Sequence, residues 1–316
     1  MTPPAIRAAA ERLRGVVHRT PVATCATLDR LAGRALFFKC EHLQKAGAFK
    51  FRGASNAVLS LADDVAARGV VTHSSGNHAA ALALAAQQRG IAAHVVMPRS
   101  VSAPKRRAVE EYGGRVVSCE PTMAARQAAA AALQAETGAT LIPPFDHPDV
   151  IAGQGTAALE LLADVPDLDA IVAPIGGGGL ISGTAIAAAA HDRRIAVVAA
   201  EPAGADDAAR SKAAGEWIDQ TDPHTIADGL LTSLGTLTWP IVRDQVAAVV
   251  TVSEAEIVAA MRLLWERAKL LVEPSAAVAL AAVLSPAFPA TQRRVGIILS
   301  GGNVDLDHLP WGSDER

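Results

Sequence analysis

Three glycine-bearing loops, each entered from a short apolar run, constrain what this chain can fold into. Val70–His73 empties into Ser74-Ser75-Gly76-Asn77-His78, and Ala170–Pro174 into Gly176-Gly177-Gly178-Gly179. Arg294–Ser300 enters Gly301-Gly302-Asn303. Short apolar strands that alternate with helical patterns and end in such turns point to open α/β sheets. Ligands of open α/β sheets sit beyond the carboxyl ends of the strands, so the three loops argue for one composite site.

The intervening segments keep the same rhythm. Ala35–Cys40 reads as a strand and residues 51–63 as a helix. A helix over Asn77–Gln88 is followed by a strand (Ala92–Met97), a helix (residues 104–112), a strand (residues 115–118) and a helix (Met123–Thr137). Together they predict a small α/β unit from Gly69 to Pro143. In the second half, Leu180–His191 reads as a helix, and Ile195–Ala200 and Val246–Val252 as strands. Ser253 is placed to cap a helix to Lys269, and Ser275 another to Leu284. Gly204–Pro240, rich in Asp, Thr and Gly, reads as the longest irregular stretch.

A length of 316 residues suggests about two domains. Apolar residues make up 50% and aromatic residues only 3%, so alanine-rich helices packed closely on sheets are expected. A formal charge of -3 without a basic block argues against a nucleic-acid partner. The segment Met1–Glu11 lacks the apolar core of a secretory signal, and no charge-free apolar window is long enough for a membrane span. Cys25, Cys40 and Cys119 show no metal-ligand spacing and read as reduced core residues. A cytoplasmic protein is therefore expected.

Lys50 stands between Phe49 and Phe51 in a chain with six phenylalanines. An amine held against apolar surface sheds its proton more readily and can act as nucleophile and base; the bland reading is a surface lysine like its neighbours Lys39 and Lys45. Gly176–Gly179, between a strand and a helix, can turn backbone N–H groups toward an anion. The Ser74–His78 loop offers hydroxyls and N–H groups to a carboxylate, although Ser75 or Asn77 would equally serve as an N-cap. Ser300 is placed to hydrogen-bond a ring nitrogen. A primary amine, an aromatic neighbour and anion-binding loops fit pyridoxal phosphate; the contiguous glycines fit a dinucleotide less well.

These residues also carry a resemblance. Ala48-Phe49-Lys50-Phe51-Arg52-Gly53, Ser74–His78, Gly176–Gly179 and Ser300–Asn303 resemble the serine racemase and serine/threonine dehydratase family of fold-type II pyridoxal phosphate enzymes. The likeness spans nearly the whole chain, including Val150–Thr156 and Ile226–Leu237. It implies two open twisted α/β domains of the tryptophan synthase β-like type. The large domain would comprise residues 1–60 and 146–316 and the small one residues 69–143, with hinges at 61–68 and 144–145. A homodimer is implied as well. By the same resemblance, Lys50 carries the cofactor, Phe49 packs on its ring and Asn77 bonds the ring hydroxyl. Gly176, Gly177, Gly178, Gly179 and Leu180 hold the phosphate, and Ser300 meets the ring nitrogen. Ser74, Ser75, Asn77, His78 and Arg126 would bind substrate. Glu201, Ala205 and Asp207 resemble a magnesium or calcium loop, an oxygen-only ligand set.

The chain departs from the family pattern in three places: Ala79-Ala80 stand for glycine-glutamine, His42 for asparagine and Ala48 for serine. Only Val304–Arg316 follow the last loop, so no carboxy-terminal regulatory domain is expected. The leading expectation is an ammonia-lyase that converts L-serine or L-threonine to a 2-oxo acid and ammonia, with Lys50 as base, because elimination needs fewer matched groups than a two-base reaction. Serine racemisation is the alternative, favoured by Ser75 as a second acid–base group and by the Glu201/Asp207 loop. A threo-3-hydroxyaspartate ammonia-lyase shares the architecture. A Rossmann-like nucleotide binder or an inactive interaction module is the contrasting class, distinguished by the absence of a visible cofactor band.

Overall fold

The alternating runs pair into two sheets in a computed structural model that describes residues 2–191 and 193–311. In chain order the strands are β1 (Val22–Ala23), β2 (Ala35–Cys40), β3 (Val70–His73), β4 (Ala93–Pro98), β5 (Arg115–Cys119), β6 (Thr140–Leu141), β7 (Ala170–Pro174), β8 (Ala196–Pro202), β9 (Ala248–Val252) and β10 (Arg294–Leu299). The larger sheet runs β1-β2-β10-β7-β8-β9 and the smaller β5-β4-β3-β6. All pairings are parallel except β1 with β2. Parallel strands need covering on both faces, and the helices supply it.

These helices are α1 (Pro3–Arg12), α2 (Ala26–Ala32), α3 (Lys50–Ser60), α4 (Asp63–Ala66), α5 (Asn77–Arg89), α6 (Ala103–Glu111), α7 (Met123–Thr137), α8 (Pro148–Asp164), α9 (Gly179–Ala189), α10 (Asp207–Ala214), α11 (Thr238–Gln245), α12 (Glu254–Leu263) and α13 (Pro274–Leu284). In α13 every residue from Ser275 to Val283 is buried, and in α9 every residue from Gly179 to Ala188. Small side chains let these helices lie within the core.

Glycines bring three of them to backbone contact. A Cβ at Gly153 of α8 would lie 2.6 Å from the Arg52 carbonyl oxygen of α3, and one at Gly183 of α9 would lie 2.5 Å from that of Ile151. Between α3 and α8, the Gln154 side-chain oxygen accepts the Gly53 N–H at 3.0 Å, one of the first-turn donors that has no partner within its own helix.

A buried ion network locks the same helices to β2. Arg52 donates to Glu41 through Nε (2.7 Å) and Nη2 (2.8 Å), and to Glu160 through Nη1 and Nη2 (both 2.8 Å). Lys39 is fully buried and donates to Glu160 and to the Thr20 carbonyl, each at 2.6 Å, so the reading of Lys39 as an ordinary surface lysine is corrected. It lies on an inward-facing strand position where only a paired charge can stay.

Three local readings also change. The stretch Gly204–Pro240 contains α10, which begins where Glu201 accepts the Ala208 and Ala209 N–H groups. The helix expected to run to Lys269 ends as α12 at Leu263 and continues as a π-turn over Leu264–Ala268. Ser275 is not a cap. Pro274 suits the first helical position, so the N-cap falls on Glu273, and Ser275 Oγ accepts the Gly229 N–H at 3.0 Å instead.

The glycine contacts carry a stability prediction. Gly183→Ala forces α8 and α9 apart and should cost about 1–3 kcal/mol, the usual range for overpacking a tight core. Thermal or urea unfolding measures it, and a wild-type transition in the variant would contradict the packing argument.

Candidate active site

The chain around Lys50 is fastened to the last strand by its backbone. Phe49 N–H donates to the Ser300 carbonyl at 2.9 Å, Ala48 and Gly301 form an antiparallel bridge, and Gly302 N–H donates to Gly47 O at 2.9 Å. Gly47 has φ +72, and a Cβ there would lie 2.3 Å from Asn303 Oδ1, so the turn admits only glycine. Lys50 itself is the first residue of α3. Its Nζ donates to Pro144 O at 2.8 Å and lies 5.0 Å from the centroid of the Phe49 ring. Burial pulls its pKa down to about 8 against the opposing effect of Glu273, so near neutral pH a fraction of this amine is free to act as nucleophile or base.

The Ser74–His78 loop reaches the same place. Gly76 is the N-cap of α5, which displaces Ser75 and Asn77 from that role. Asn77 Nδ2 meets Glu273 Oε1 at 2.9 Å and Oε2 at 3.1 Å, and its Oδ1 accepts from Asn303 Nδ2 at 2.9 Å. His78 is buried, and its Nε2 lies 3.0 Å from the Ile142 carbonyl oxygen. Burial, together with Lys50, drives its pKa down to about 3, so the ring is neutral. Nε2 is then the donor to Ile142, and the buried Nδ1 has no partner. Ser74 and Ser75 are half-buried at the mouth of the loop.

Gly176–Gly179 forms a cradle that side chains would fill. A Cβ at Gly176 would lie 2.9 Å from Leu230 Cα, one at Gly177 2.3 Å from the Phe145 ring, and one at Gly178 2.8 Å from Thr238 Cβ. Gly178, at φ +83, is the N-cap of α9, whose first-turn N–H groups begin at Gly179 and the buried Leu180. A bare backbone at a helix N-terminus suits a phosphate. With a partly deprotonated lysine, an aromatic side chain beside it and the buried Ser300 hydroxyl nearby, these residues fit a phosphorylated aldehyde cofactor.

Arg126 lies on α7, half-buried, with Nε unpartnered. Burial lowers the pKa of His73, which adjoins the serine loop, and the Arg126 charge adds to that effect. Glu201, Ala205 and Asp207 form a separate corner at the end of β8. Both carboxylates are buried, which raises Glu201 to about 8 and Asp207 to about 6. Asp207 Oδ2 accepts the Leu234 N–H at 3.1 Å, while Oδ1 has no partner. Among the described residues, no group of three or more His, Cys, Asp or Glu side chains gathers as a metal site.

Sequence reasoning missed Glu273 and the segment Pro144-Phe145-Asp146. Pro144 meets Lys50 and Phe145 covers Gly177; Asp146 accepts the N–H groups of Thr236 (3.0 Å), Leu237 (2.9 Å) and Thr238 (3.2 Å). The Glu-Pro pair before an alanine-rich helix was the available signal for Glu273.

A family model for pyridoxal-phosphate dependent enzymes matches residues 13–301. Serine racemase from Arabidopsis thaliana is 55% identical over 313 residues, covering 98% of this chain and 94% of that protein. Beta-hydroxyaspartate dehydratase from Paracoccus denitrificans is 51% identical and covers 96% of each. The structure of maize serine racemase superposes with a TM-score of 0.96 at 51% identity, covering 97% of this chain and 94% of that one. These findings bear out the fold-type II architecture with two α/β domains. They overturn the ammonia-lyase as leading activity, because serine racemases dominate the high-identity relatives, and they favour the racemase alternative. The expectation erred by giving more weight to the fewer groups that elimination needs than to Ser75.

The lowered pKa of Lys50 yields a pH prediction. Only the neutral amine adds to an aldehyde, so borohydride-trapped coupling of pyridoxal phosphate to the cofactor-free protein should rise with pH through about 8. A midpoint near the ordinary lysine value of 10.5 would contradict the buried amine.

Proposed function

The chain belongs to the family of pyridoxal-phosphate dependent enzymes, and we propose that within it this protein interconverts L- and D-serine. The observation that carries the reading is the match to a serine racemase over 98% of the chain. When bound, the cofactor supplies an electron-withdrawing ring that lets the α-proton of an amino acid leave.

In this reading the chain's own residues supply the rest. Backbone N–H groups of Gly176–Gly179 and Leu180 hold the phosphate, Ser300 Oγ bonds the ring nitrogen and Asn77 Nδ2 the ring oxygen. Lys50 Nζ takes or returns one α-proton; Ser75 Oγ does so for the opposite enantiomer. Ser74, the His78 backbone N–H and Arg126 bind the carboxylate and side chain of the substrate. Racemisation requires two proton carriers, and a lysine near neutrality with a hydroxyl in the neighbouring loop supports that pairing.

We assign Glu201, the Ala205 carbonyl and Asp207 to a divalent cation. Oxygen ligands of this kind suit magnesium or calcium, and the unpartnered Asp207 Oδ1 supports the fit. The ion would tie β8 to α10 and stay apart from the proton transfers. Magnesium or calcium at about a hundred times its dissociation constant should stabilise the protein by about 2.7 kcal/mol, and EDTA should reverse the gain. Identical melting curves with chelator and with either ion would remove the site.

A chiral product assay run beside a 2-oxo acid assay tests the main reading. Wild type should convert L-serine to D-serine and Lys50→Ala should do neither reaction. Ser75→Ala should lose about a hundred-fold or more of the interconversion, the scale of one acid–base group, with a much smaller loss of pyruvate release. Pyruvate without any D-serine from wild type would overturn the racemase.

A further inference from the structure

Glu273 is a buried carboxylate to which none of the roles above gives a task. It sits where α13 begins, with its N–H bonded to Gly301 O at 3.0 Å. A Cβ at Gly301 would lie 2.6 Å from Glu273 Oε1, so the carboxylate is packed against the loop that carries Ser300. It receives the Asn303 N–H at 3.2 Å and meets the Asn77 amide nitrogen with both oxygens.

Hydrogen-bond chemistry turns that geometry into an orientation. Burial raises the Glu273 pKa to about 7, while the Asn77 amide and the Asn303 N–H favour its ionised form. An ionised carboxylate only accepts, so only the amine end of Asn77 can face it. The opposite end of the same amide accepts from Asn303 Nδ2, which only donates. A flipped Asn77 would set two acceptors together at one end and two donors at the other. One carboxylate is also too narrow, seen from the nitrogen, to take both amine hydrogens in line. One hydrogen stays available for an oxygen on the ligand side.

We propose that Glu273 is a positioning residue for the cofactor, fixing the Asn77 amide in the orientation that donates to the ring oxygen and binding the Ser300 loop to the start of α5. The inference rests on the assignment of Asn77 to the ring oxygen. It does not depend on whether the enzyme racemises or eliminates.

Titration of pyridoxal phosphate into cofactor-free protein, followed by absorbance, tests the role without turnover. Glu273→Ala should weaken binding about ten-fold, the scale of one charge-assisted hydrogen bond, and displace the visible band in the same direction as Asn77→Ala. Glu273→Gln, which keeps an acceptor oxygen, should restore most of the affinity. The double variant Glu273→Ala/Asn77→Ala should bind no more weakly than Asn77→Ala, because one residue acts through the other. Should Glu273→Ala fail to fold, as its melting curve would show, Asn303→Ala releases the amide from the other end and should shift the band likewise. Wild-type affinity in Glu273→Ala, a Gln variant no better than Ala, multiplying losses in the double variant, or an unmoved band in Asn303→Ala would overturn the role. If Asn77→Ala itself leaves affinity and band unchanged, the ring-oxygen assignment falls and takes this inference with it. A loss in Asn77→Ala alone sinks only Glu273.

Discussion

A guanidinium with no access to water dictates the arrangement around it. Arg52 is fully buried two residues after Lys50, and an unpaired charge there would cost several kcal/mol. Glu41 and Glu160 must therefore come to it from the end of β2 and from α8, and Lys39 shares the second carboxylate. The network fixes the direction in which α3 leaves the sheet. Lys50, at the first position of that helix, inherits its placement from a cluster of charges that never touches the site.

The glycine contacts and the ion network act in the same layer. Backbone approach at Gly153 and Gly183 removes slack between α3, α8 and α9, while the charges set their register. The glycine cradle is the start of α9, and the lysine is the start of α3. Two groups far apart in sequence are thus held by helices that pack on opposite sides of α8. Preorganisation of this kind is what a site needs when the reacting partner is bound by many small contacts.

Much of this was legible in the residues. β2, β7 and α7 lie where apolar runs and turn residues placed them, and α7 runs from the Thr122 cap to Gly138 in the left-handed region. The convergence of the three loops followed from strand ends alone. What could not be read were long-range polar contacts with no periodic pattern. Asn77 and Glu273 are 196 residues apart, and a glutamate before a proline looks like any helix entrance. Lys39 looked ordinary because strand alternation says which face a residue takes without saying that a carboxylate waits there. The dehydratase expectation failed for another reason: racemases and deaminases share this scaffold, and a count of required groups says nothing of which chemistry a chain performs.

The strap that returns from the small sheet crosses the site at its centre. Ile142 O meets His78, Pro144 O meets Lys50, Phe145 lies on Gly177, and Asp146 is held by the turn before α11. In mechanical terms this strap is a rivet. Residues 142–146 are fastened in turn to α5, to α3, to the glycine loop and to the turn before α11. A displacement of any one of these four pieces is therefore carried to the other three, the lysine and the cradle among them.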